Sequence, residues 1–175
     1  EPSGEFCFTV CATDPATGWT EPRAVKNKAG RWIHQALETI RQRSAVTVHG
    51  WHPDCGTEFM NNHILRYCRR SGLELTRSRY NKKNDNCYVE QKNAAVVRDA
   101  VGYLRYEGEQ DCQLLNVLYD SLRLMVNFFR PQAKLVEKHR LGSAVKRRHD
   151  TPTTPYQRIM ESEHASQATK EALTA

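Results

Sequence analysis

The chain has no C-x2-C pair and no regular cysteine framework: Cys7, Cys11, Cys55, Cys68, Cys87 and Cys112 stand at unrelated spacings. That argues against a zinc ribbon or a secreted disulfide scaffold and favours reduced thiols in a cytoplasmic protein. No apolar run approaches the roughly 20 residues needed to span a bilayer. The opening "EPSGEF" has neither the basic start nor the apolar stretch of a signal peptide. No membrane partner is expected. Acid is also in deficit, with 26 Lys and Arg against 20 Asp and Glu, a formal charge of +6. Such a balance points to a polyanionic partner, nucleic acid first. What is present is ordinary globular material: 39% of the 175 residues are hydrophobic, enough for one domain with an appendage.

Two β-rich runs, Phe6–Ala12 and Trp19–Val25, flank "DPATG", whose Pro and Gly suit a hairpin turn. In "AGRWIHQALETIRQR", Trp32, Ile33, Ala36, Leu37 and Ile40 recur at helical spacing. "AVTVHGW" reads as a strand, "NNHILRYCRRSG" as a helix starting at Asn61 or Asn62 and stopped by Gly72, and "LELTRSR" as another strand. The alternation predicts α/β architecture. A polar loop, "YNKKNDN", then leads into a helix within "CYVEQKNAAVVRDAVGYL" that carries Glu90 in its first turns. A long helix is predicted from about Gln110 to Phe129, with Leu114, Leu118, Leu122, Met125 and Phe129 on its core face and Pro131 closing it. Beyond it, residues 131–162 read as a basic, extended appendage and 163–175 as a flexible tail, leaving 1–130 as the main domain.

Between Asp54, at a strand end, and Glu90, near a helix start, lie 35 residues. Together with "ATGWTE", "HPDCGTEF", "NDNCYVEQKN" and "TPYQR" in that order, this interval resembles the catalytic core of retroviral integrases and bacterial insertion-sequence transposases. The resemblance implies an RNase H-like mixed sheet flanked by helices. It also implies DNA cutting and joining by transesterification, with Asp54 and Glu90 as catalytic ligands of two Mg²⁺ or Mn²⁺ ions. Hard carboxylate oxygens suit those ions, and in-line phosphoryl transfer needs such charge neutralisation. It further implies double-stranded DNA as partner, a homo-oligomer when active, and a place beside the bacterial nucleoid. Family members carry a first aspartate on an opening strand. Glu1, Glu5 and Asp14 are poor substitutes for it, so the chain is expected to be an inactive, N-terminally incomplete core. Cys55, where the family has Asn, is a second departure.

Basic residues crowd the segment between the two acids. Arg77, Arg79, Lys82 and Lys83 lie in or beside "RSRYNKKND", the best candidate for phosphate contacts, and Asn93 shares Glu90's helical face by i+3 spacing, as Val97 does by i+7. A second cluster, Lys134, Lys138, Arg140, Lys146, Arg147 and Arg148, is placed to grip DNA more remotely. Two other readings are carried forward. One is a non-catalytic nucleic-acid-binding remnant of the same fold; the other is a zinc-stabilised module built from His49, His52 and Cys55 with Cys68 or Cys87.

Overall fold

The computed structural model of the chain describes residues 5–54, 56, 58–79 and 91–174. Strand β1, Phe8–Thr13, pairs antiparallel with β2, Thr20–Val25, so that Phe8 faces Val25 and Thr13 faces Thr20. The connecting turn is fastened by Asp14, whose Oδ2 accepts from the Thr17 N–H at 2.8 Å and the Thr17 hydroxyl at 2.6 Å. Helix α1, Gly30–Arg43, buries Ile33, Ala36, Leu37 and Ile40, the predicted stripe, with Trp32 half-buried at its margin. Strand β3, Gly50–Trp51, is shorter than "AVTVHGW" predicts. Helix α2, Asn62–Arg70, is capped by Asn61, whose side chain accepts from the N–H groups of His63 and Ile64, and Gly72 follows it at a φ of 65°. Strand β4, Glu74–Leu75, runs parallel to β3.

From Asn93 to Arg98 the backbone is wound as a π-helix, followed by the short helix α3, Asp99–Val101. Helix α4, Gly108–Leu124, runs on into a π-wound turn, Met125–Phe129. A hairpin of β5, Leu135–Leu141, and β6, Ala144–His149, leads to α5, Pro155–Glu161, and α6, Gln167–Thr174. The basic appendage is therefore a β-ribbon and a capped helix. No helix among the described residues is long and apolar enough to cross a membrane.

The sheet differs from expectation. Among the described residues β1–β2, β3–β4 and β5–β6 are separate two-stranded sheets, not one continuous mixed sheet. The first two are joined by side chains: Val10 and Val25, four residues of α1, and Ile64, Tyr67 and Cys68 of α2 form one apolar cluster, with Trp51 and Leu75 packed against it. A second cluster on the other side of β2 gathers Ala24, Val96, Val97, Cys112, Leu115, Tyr119, Leu122 and Val126.

The buried face of α4 is also not the predicted one. Leu122 is buried, but Leu114 (61% exposed), Leu118, Met125 and Phe129 (78%) face solvent, while Cys112, Leu115, Tyr119 and Val126 face the core. Backbone hydrogen bonding decides this rotation. The outer edge of β2 presents the polar groups of Thr20 and Ala24, which no strand among the described residues covers. Asn127 accepts from Thr20 N–H and donates to Thr20 C=O, both at 2.9 Å. Asn116 accepts from Ala24 N–H at 2.9 Å and donates to its C=O at 3.1 Å. Between them sits Pro22, which has no N–H to satisfy. Two amide side chains thus stand in for a neighbouring strand. Turning α4 to bury its leucine stripe would leave these groups unpaired.

Asn127, fully buried, should be the less replaceable of the two. Asn127→Ala orphans a buried N–H and a buried C=O, and urea unfolding should register a loss of about 2–3 kcal/mol. A near-neutral result would mean that water, not Asn127, satisfies the β2 edge.

Candidate metal and nucleic-acid site

The β3–β4 pair extends beyond its short strands as a parallel ladder. Glu74 N–H donates to His49 C=O, Thr76 to Trp51 and Ser78 to Pro53, at 3.0, 3.0 and 3.1 Å. Asp54 follows the last of these carbonyls directly, at the carboxyl end of the strand, and is exposed. Ligands in open α/β sheets bind at such ends. Asp54 Oδ1 accepts from the Gly56 N–H at 3.0 Å, which fixes the carboxylate on its turn. A Cβ at position 56 would lie 2.6 Å from Glu58 Oε2 and 2.9 Å from Asp54 Oδ1, so a larger residue there would displace these two carboxylates. Glu58, the other acid of the turn, is paired with Lys28 Nζ at 2.8 Å. Burial pushes the Glu58 carboxyl up, but the Lys28 bond, a backbone N–H and the Lys28 charge together outweigh it, and the group stays below its ordinary range.

Arg77 and Arg79 lie exposed on the same segment as Ser78, beside the strand end that carries Asp54. Glu90, Lys82 and Lys83 lie outside the described residues, as do Tyr80, Cys55 and Cys87, and with Glu90 goes the Asp54–Glu90 separation. Asn93 is half-buried in the π-wound segment, and Val97 is buried in the second apolar cluster. Glu90 lies outside the described residues, and the backbone is π-wound from Asn93 on, so the α-helical spacing that relates Val97 to Asn93 is not kept.

Among the described residues no three His, Cys, Asp or Glu side chains gather as a metal cage. The zinc reading therefore finds no support there. His52 is otherwise engaged, with Nδ1 2.7 Å from the Thr76 hydroxyl and Nε2 3.4 Å from that of Ser78. Glu21, the acid of "ATGWTE", is structural as well. It is buried, accepts from Trp19 Nε1 at 2.8 Å, and takes a two-pronged contact from Arg123 at 2.7 and 2.9 Å.

Sequence reasoning missed one cationic group. A cavity of about 220 Å³ between the β1–β2 turn and residues 91–96 is bordered by Lys92, Arg130 and Lys134. Lys92 Nζ donates to Gln132 Oε1 and Lys134 Nζ to the Ala16 carbonyl. Burial is the main reason that Lys92 falls to about 8; Cys11 opposes the shift, and the nearby Arg130 and Arg158 charges add to it. Lys92 stands two residues past Glu90, but nothing in its local sequence signals burial, which comes from a segment some 40 residues away.

With 90% of this chain and 93% of the other aligned at a TM-score of 0.60, the chain shares its fold with the crystallised catalytic core domain of BIV integrase, at 18% sequence identity. The class is thus an integrase-core α/β fold. In sequence the chain is 42% identical over 156 residues to "Uncharacterized protein y4rM" of Sinorhizobium fredii (strain NBRC 101917 / NGR234). That match covers 89% of this chain and 45% of the relative, so the chain spans about half of the relative's length. No protein-family model matches.

Lys92 gives a pH signature. Its folded value of about 8 lies below the ordinary 10.5, so between those pH values the unfolded chain holds more proton and stability rises with pH. The cost of burying the charge is full below pH 8 and is relieved by about 10.5. Relative to Lys92→Met, the wild-type chain should gain stability across that window in urea titrations. Parallel curves for the two proteins would place Lys92 at its ordinary value.

Proposed function

We propose that this chain is the core of a DNA-cutting and DNA-joining enzyme of the integrase and transposase type, acting by metal-dependent phosphoryl transfer. The observation that carries the reading is Asp54, held by its own turn at the carboxyl end of a parallel strand pair in an integrase-core fold. The donor chemistry fits. Asp54 offers hard carboxylate oxygens, whereas Glu58 is neutralised by Lys28. Asp54 and Glu90 would hold Mg²⁺ or Mn²⁺, which would neutralise charge developing on the phosphoryl oxygens. Arg77 and Arg79, exposed beside Asp54, would hold the DNA backbone, with Lys82, Lys83 and Asn93 assigned to the same duty. Their contacts go to phosphates, so they position the strand without reading sequence. The exposed apolar stripe of Leu114, Leu118, Met125 and Phe129 supports assembly of copies when the enzyme is active.

The test is Mn²⁺- or Mg²⁺-dependent nicking and strand transfer on plasmid DNA by the chain together with its native flanking sequence. Asp54→Asn and Glu90→Gln should each lower the rate by about 100-fold or more, as expected for removing a ligand charge, while DNA affinity and unfolding midpoint hold. Activity that survives either substitution would show that these acids are not the ligands. Binding without any metal-dependent cutting would favour the non-catalytic, DNA-binding reading.

A further inference from the structure

The β5–β6 hairpin has no evident role in the core. Every residue of β6 is exposed, and so are Leu135, Val136, Lys138, His139 and Arg140 of β5. Such an isolated two-stranded ribbon is marginally stable in water. This one is anchored at its base. Lys134 N–H donates to Asp150 Oδ1 at 2.6 Å, and Asp150 N–H donates back to the Lys134 carbonyl at 2.9 Å. Arg158 of α5 then binds Asp150 Oδ2 at 2.7 Å and the Gln132 carbonyl at 2.8 Å. At the far end Gly142, with a φ of 61°, allows a two-residue turn between Leu141 and Ala144. The result is a ribbon fixed at one end and free at the other.

Its charges are sorted by face. Residues paired across the strands share a face, and faces alternate along each strand. Lys138 opposite Arg147 and Arg140 opposite Val145 therefore lie on one face, which carries no acid. Glu137 lies on the other, opposite Arg148, where it accepts from Arg148 Nε at 3.0 Å and contacts His139. Among the described residues no carboxylate pairs with Lys138, Arg140, Lys146 or Arg147. Like charges directly opposite each other destabilise a strand pair. Folding gives no reason for Lys138 to face Arg147; a polyanion would.

We infer that the β5–β6 ribbon is a DNA arm whose Lys138, Arg140 and Arg147 face enters the major groove of a duplex. Strands lie about 4.8 Å apart, and a major groove about 12 Å wide and 8.5 Å deep admits a two-stranded ribbon. The ribbon, roughly 20 Å long at about 3.3 Å per residue, reaches past the phosphates to the groove floor. This inference rests on the proposed DNA-acting function and adds a second point of attachment, on elements separate from the Asp54 strand end.

The experiment measures duplex affinity against salt for the wild-type chain and for Lys138→Gln/Arg140→Gln/Arg147→Gln, with circular dichroism to confirm folding. Wild type is also measured on a duplex whose major groove is filled by glucosylated hydroxymethylcytosine. The slope of log K against log salt should become shallower by about 2–3 in the variant, near 0.9 for each phosphate that its side chains no longer neutralise. Wild-type affinity should fall on the glucosylated duplex. An unchanged slope with wild-type binding intact would overturn the ribbon inference and leave the DNA-acting function standing. Equal wild-type affinity for plain and glucosylated duplex would overturn groove entry without needing the variant. No duplex binding by wild type at low salt would overturn both.

Discussion

The structure depends on how β2 is covered. One side of this strand meets β1 through a regular antiparallel ladder; the other meets no strand among the described residues, and its peptide groups are satisfied by side chains instead. Asn116 of α4 and Asn127 of the π-wound turn that continues it do this at Ala24 and Thr20, and Pro22 removes the donor that would lie between them. Arg123, on the same face, locks the buried Glu21 in place and donates to the Arg43 carbonyl at the end of α1 at 3.2 Å. These bonds set the rotation of α4. The rotation in turn decides which apolar stripe is core and which is left outside.

From that frame the site is built outward. The β1–β2 pair supports α1, and α1 with α2 supports the short parallel pair whose carboxyl end carries Asp54. Each layer is held by side-chain packing because the backbone ladders are separate. The acids nearest the family-like motifs then divide by what surrounds them. Glu21 is buried and paired with Arg123, Glu58 is paired with Lys28, and Asp14 fastens its own turn. Asp54 is exposed at a strand end, where its carboxylate accepts from the Gly56 N–H of its own turn. That difference in environment, not residue type, separates a candidate ligand from structural carboxylates.

Cationic groups occur in different physical settings. Arg77 and Arg79 lie exposed next to the strand end that carries Asp54. Lys92 and Arg130 border a cavity, where burial lowers the Lys92 amine and favours its neutral form. The β5–β6 ribbon carries its charge in full solvent, where it costs little and is available to a partner.

The sequence by itself determined the local elements. The hairpin around "DPATG", the α1 stripe, a helix start at Asn61 or Asn62, the Gly72 stop and the strand-end position of Asp54 follow from turn chemistry and from apolar periodicity within a few residues. Only the tertiary structure decided what depends on distant partners. Leucine spacing marks Leu114, Leu118, Leu122, Met125 and Phe129 as the core face, and the structure buries a different one because Asn116 and Asn127 pair with Ala24 and Thr20, about a hundred residues away. The π-winding at Asn93–Arg98, the division into separate two-stranded sheets and the burial of Lys92 beneath Gln132 were illegible for the same reason. Periodicity records that a face is apolar; hydrogen-bond satisfaction between remote segments determines what that face meets.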